Sequence, residues 1–105
     1  MKIYHLALPG EWESAVAAGE YRVSTRGLSL ADVGFIHCAR SEQVGGVRAM
    51  FYADVDDLVQ LTIETEQLTA PWQFDPVPGA EQTFPHVYGP INLDAVVDSG
   101  VLGPM

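Results

Sequence analysis

The chain has a single cysteine, Cys38. That excludes an internal disulfide framework and any multi-cysteine zinc site. Cations are scarce as well: five lysines and arginines stand against 14 acidic residues, for a formal net charge of −9. Gripping a phosphate backbone takes clustered cations that displace counterions, so no nucleic-acid partner is expected. Long apolar runs are missing, since a membrane-crossing helix needs about 18 consecutive apolar residues and none occurs here, so no membrane span is expected. The opening residues carry no charged region followed by an apolar one and a cleavage site, which makes a cytoplasmic location the default. Phosphate-cradling glycine loops and nucleophile-elbow patterns are absent too.

What is present reads as one folded domain over residues 1–105. Hydrophobic residues make up 48% and charged residues 18%, enough apolar mass for one core. Lys2 to Ala7 reads as strand, with Ile3, His5 and Ala7 facing one way and Lys2, Tyr4 and Leu6 the other. Pro9-Gly10 stops it, and Glu11 to Ala18 reads as a short helix closed by Gly19. Tyr21 to Asp32 reads as irregular, and Gly34 to Ala39 as the second strand. Ser41 resembles an N-cap opening a second helix that runs to about Tyr52. Gly45-Gly46 inside that helix costs roughly 1 kcal/mol per glycine against alanine, which points to close approach of a backbone or ligand.

Asp54 to Asp57 reads as a solvated turn, and Leu58 to Glu64 alternates cleanly as a strand. Pro71 to Phe74 and Phe84 to Tyr88 read as further strands around a Pro/Gly loop, followed by a last strand ending near Val97. Helices early and strands late predict an α+β fold: a mixed, mainly antiparallel sheet with two short helices on it.

The chemistry gathers on histidine. All three histidines lie in strand-like apolar runs: Ile3-Tyr4-His5-Leu6, Gly34-Phe35-Ile36-His37-Cys38 and Phe84-Pro85-His86-Val87-Tyr88. Imidazole titrates near neutral pH and is costly to bury without a partner, so three on separate strands point to one shared, concave site. His5, His37 and His86 are therefore the candidate catalytic residues. The bland alternative for each is a core histidine satisfied by a backbone carbonyl. Three imidazoles and a water can hold zinc, but no pair here has a close ligand spacing, and no metal is expected. Cys38, next to His37 on a strand, reads as a small buried hydrophobe. Arg22, Arg26 and Arg40 could build a local anion pocket against the global charge.

Taken together, Ile3-Tyr4-His5-Leu6-Ala7, Gly34-Phe35-Ile36-His37-Cys38, Glu42-Gln43-Val44, Phe51-Tyr52 and Phe84-Pro85-His86-Val87-Tyr88-Gly89-Pro90 resemble the small bacterial family known as domain of unknown function 952. That family is remotely similar to the ADP-ribosyltransferase fold, which includes the RNA 2'-phosphotransferases. The resemblance implies that Tyr4-His5 holds the ribose hydroxyls of a nicotinamide nucleotide, NAD or a relative. It implies a second histidine before a helix, at His37. The late position that is often glutamate would be His86, with Glu81 a loop neighbour. The chain departs from the pattern there, because neutral histidine steadies an oxocarbenium-like state less well than glutamate.

Two readings follow. One is a nucleotide-binding domain that transfers or hydrolyses ADP-ribose, with Tyr4, Arg22, Arg26, Arg40 and Tyr88 holding the cofactor. The other is a non-catalytic ligand- or protein-binding module on the same scaffold. The sequence fixes no oligomeric state.

Overall fold

A computed structural model describes residues 1–105. In chain order the elements are β1 (Lys2–Ala7), α1 (Pro9–Ala18), β2 (Glu20–Tyr21), β3 (Val23–Thr25), β4 (Leu28–Ser29), α2 (Leu30–Val33), β5 (Ile36–His37), α3 (Val44–Phe51), β6 (Val59–Glu64), β7 (Trp72–Asp75), β8 (Phe84–Val87), β9 (Ile91–Asn92) and β10 (Val96–Val101). The fold is α+β, as the order of helices and strands predicts, and every strand pair is antiparallel, so the sheet system is not mixed. No helix is long and apolar enough to cross a membrane.

Two three-stranded sheets carry the structure, in the orders β1-β6-β10 and β5-β8-β7. They meet at one bridge, where Tyr4 and Ala39 exchange backbone hydrogen bonds of 2.8 Å in both directions. The alternation read in β6 buries Val59, Leu61 and Ile63 in the main core, with Ile3, Ala7, Tyr21, Ile36, Val87 and Ile91. A smaller cluster of Leu6, Tyr52 and Leu58 lies on the other face, packed by Val44 and Val47 of α3. β1 is thus buried on both sides, which explains its near-continuous apolar run.

Four expectations need correcting. The segment from Tyr21 to Asp32 is structured: it holds β3 and β4, and Ser29 caps α2 by accepting from the Asp32 N–H at 3.2 Å. Its strands escape a periodicity reading because two or three residues are too few to show a period. With α2, the helices number three rather than two. Ser41 is not the cap of α3; the chain first makes a 3-10 turn, tied by the Arg40 N–H donating to Gln43 Oε1 at 2.9 Å. Gly45 and Gly46 approach nothing: a Cβ on either would meet open space.

Two other glycines do set the geometry. Gly34 ends α2 at φ 97°, a left-handed conformation that a side chain disfavours, and so turns the chain into β5. Gly89 closes on Ala70 so tightly that a Cβ there would lie 2.8 Å from the Ala70 Cβ.

Candidate functional site

The antiparallel register of β5, β8 and β7 sorts the candidate side chains. His37 lies opposite His86, and His86 opposite Gln73, while Ile36, Val87 and Trp72 pair on the adjacent positions. Side chains alternate along a strand, so Ile36, Val87 and Trp72 turn to the core and His37, His86, Gln73, Asp75 and Tyr88 share the other face.

On that face the rings of Phe35, His37, His86 and Tyr88 form one cluster. Phe35 stacks on His86 with centroids 4.1 Å apart and planes 15° from parallel. His37 stands edge-on to His86 at 4.9 Å, and Phe35 also touches Tyr88, 5.5 Å between centroids. Asp75 anchors the cluster. Its Oδ2 accepts from His86 Nδ1 at 2.9 Å and from the Tyr88 hydroxyl, and its Oδ1 accepts from Gln73 Nε2 at 2.6 Å. The Tyr88 hydroxyl, with Gln73 and His86 behind it, holds the Asp75 carboxyl below the usual carboxylate range. The same contact pushes the Tyr88 phenol up.

This wiring fixes the His86 tautomer. A carboxylate can only accept, so Nδ1 carries a proton, and in the neutral ring Nε2 is left as a lone pair. His86 is 2% exposed, and that Nε2 is buried with no hydrogen-bond partner. An unpaired buried acceptor costs about 1–3 kcal/mol. Nearby His37 is half-buried, with neither ring nitrogen hydrogen-bonded within the chain, and burial, then the His86 charge, holds its pKa below the usual value. His37 is therefore poised as a neutral imidazole at pH 7, beside a ring that a carboxylate orients. That pair can take up and release a proton.

His5 belongs elsewhere. Its Nδ1 donates to the His37 carbonyl at 2.5 Å, and its Nε2 accepts from the Tyr21 hydroxyl at 2.8 Å. The ring is 3% exposed, and burial pulls its pKa from 6.5 to about 4. With both nitrogens used inside the core, His5 has none left for a ribose hydroxyl, which corrects the role the resemblance implies. His5 meets the other two histidines through the His37 backbone carbonyl. The Tyr4 side chain alternates onto the opposite face of β1 from His5.

The arginines are also spent elsewhere. Arg22 is paired with Glu20. Arg26 makes a bidentate pair with Asp54, at 2.7 and 2.9 Å. Arg40 donates to the Thr83 carbonyl and hydroxyl and lies over Phe74, on the side of β7 away from Gln73 and Asp75. None of the three hydrogen-bonds the ring cluster, so the expected anion pocket is not assembled there.

No histidine borders either of two surface depressions. These depressions, about 360 and 390 Å³, are open troughs, and of the candidate residues only Tyr88 borders one, beside Gly89 and Pro90. Cys38 is buried and its thiol pKa is pushed up by that burial, as suits an inert core residue.

Phe35, Gln73 and Asp75 are the residues that sequence reasoning missed. The signal for Asp75 lay in Trp72-Gln73-Phe74-Asp75, whose alternation puts two polar side chains on one strand face.

The fold and the ring cluster define a small antiparallel α+β domain with an aspartate-anchored histidine pair on one sheet face. The chain belongs to the family described as protein of unknown function (DUF952), whose model matches residues 7–99. It is similar to protein CC0527 from Caulobacter crescentus. The crystal structure of that protein aligns with a TM-score of 0.83 at 31% identity, covering 97% of this chain and 86% of that one. The solution structure of the same protein gives a TM-score of 0.79 at 28% identity, over 97% and 84%. No curated protein matches the chain. These likenesses give no support to the ADP-ribosyltransferase-like assignment.

Proposed function

We propose that this domain binds a small molecule on the face formed by Phe35, His37, Asp75, His86 and Tyr88, and that the ligand donates a hydrogen bond to His86 Nε2. One observation carries the reading: a buried histidine, oriented by a carboxylate, keeps a lone pair with no partner. Aspartate-oriented imidazole is also the arrangement that accepts a proton from a bound hydroxyl, so acid–base chemistry lies within reach of the site. The half-exposed His37 ring, edge-on to His86, has no hydrogen bond of its own to lose if a ligand displaces it.

The NAD reading has less support. It needs His5 for the ribose and arginines for the diphosphate, and those groups are engaged with Tyr21, Glu20 and Asp54. A non-catalytic binding module fits the same face without these groups.

The test is a mixed set of nucleosides, sugars, amino acids and nucleotides at millimolar concentration, followed by amide chemical shifts. Saturable shifts at Phe35, His37 and Tyr88, lost in His86→Leu, are expected. No shift on this face from any member would overturn the proposal and leave Nε2 to a water molecule.

A further inference from the structure

We infer that the ligand of this face is an uncharged ring compound bearing hydroxyls, such as the sugar of a nucleoside or a free pyranoside, and that its phosphorylated forms are turned away. The inference rests on the reading above and adds the ligand's charge and shape.

The polar groups dictate the charge. In the neutral ring His86 Nε2 can only accept, because Nδ1 holds the proton against Asp75. A sugar hydroxyl can donate to it; an ionised phosphate oxygen cannot. The next polar group is the Asp75 carboxylate, already supplied with donors by Gln73 and Tyr88. Nothing positive balances it. All four arginines are engaged away from the cluster, Arg22 with Glu20, Arg26 with Asp54, Arg40 with Thr83 and Arg48 with the Gly103 carbonyl. A phosphate placed here would exchange its water shell for an acceptor and a carboxylate, in a chain of net charge −9.

The apolar groups dictate the shape. Phe35 and Tyr88 lie 5.5 Å apart at 52°, a bent aromatic floor that suits the C–H face of a ring better than an extended chain. Tyr88 is 38% exposed, so the floor is open to solvent at that end.

Adenosine, AMP, NAD and methyl β-glucopyranoside would each be titrated into the wild-type protein, reading the amides of Phe35, His37 and Tyr88 and the Nε2 nitrogen shift of His86. Adenosine or the glucoside should bind at least tenfold more tightly than AMP or NAD, with His86 Nε2 moving on saturation. Whichever of the two binds better identifies the source of the ring. Asp75→Asn, which keeps an oxygen for His86 Nδ1 but removes the charge, should narrow the gap between adenosine and AMP. AMP or NAD binding as tightly as adenosine overturns the inference and leaves the site standing. Shifts from none of the four, in a protein that does respond to another member of the wider set, also overturn it. No response to anything removes the site itself.

Discussion

His5 and His86 are equally buried, at 3% and 2% exposed, yet they are opposites. His5 has a partner on each nitrogen and packs edge-on against Tyr21 in the core. His86 has one partner, a carboxylate, and an empty lone pair on a face lined with aromatic rings. Burial alone therefore does not separate a structural histidine from a candidate functional one; hydrogen-bond satisfaction does. Evolution can leave an acceptor unpaired at some cost in stability when a ligand completes it.

The largest expected difference comes from removing each ring. His5→Leu strands the Tyr21 hydroxyl and the His37 carbonyl in the core, and should cost about 3 kcal/mol. That corresponds to a fall in Tm on the order of 15 °C. His86→Leu deletes the unpaired nitrogen and leaves Asp75 with two donors, so its cost should stay below about 1 kcal/mol. Thermal unfolding of the two variants decides. Equal losses would break the contrast.

Next in size is the response to acid. The folded protein holds His5 at about 4, whereas the unfolded chain takes up that proton near 6.5. Protonation therefore favours unfolding: the stability from this group is complete above pH 6.5 and is lost as the pH falls toward 4. The difference amounts to about 3 kcal/mol. His37, also depressed, adds in the same direction. Denaturant unfolding between pH 7 and pH 4 measures the loss, and proton NMR of the His5 ring assigns it. An imidazole titrating above pH 6 at His5 would contradict the buried, doubly bonded setting.

The smallest difference lies between the two tyrosines. Tyr21→Phe removes the donor from His5 Nε2 in the core and should cost about 1–2 kcal/mol. Tyr88→Phe, at the exposed rim, should change stability by less than about 0.5 kcal/mol. It should instead let the Asp75 carboxyl rise toward its ordinary range, because the Tyr88 hydroxyl is the main influence holding it down. Carboxyl carbon shifts followed against pH would show it. An unmoved Asp75 would mean that Gln73 and His86 anchor it without help.

Much of this was legible in the sequence where an element was long enough to show its period. β1 and β6, six residues each, declare their faces by alternation, and α1 ends at Gly19 where expected. β2, β3, β4 and α2 are too short to declare anything, and their stability is tertiary: Ser24, for example, is held by its hydroxyl on the Phe35 carbonyl at 2.5 Å. His37 and His86 were legible as candidates, but not their distinction from His5, because Tyr21 lies 16 residues away and Asp75 is recognisable only once β7 is known to pair with β8. Arginine partners across the fold, such as Asp54 for Arg26, leave no local trace either.

The pairing of β6 also bears on how the chain acquires its shape. Lys2 lies opposite Glu64, and Val101 opposite Val59, so both neighbours of this strand come from distant parts of the sequence. Nothing in β1 can complete its ladder until about sixty residues more have been made. During synthesis Ile3, Leu6 and Ala7 would stand as an unpaired apolar edge beside a ribosome, a form prone to mispairing. Such topology belongs with domains that fold in milliseconds to seconds rather than microseconds.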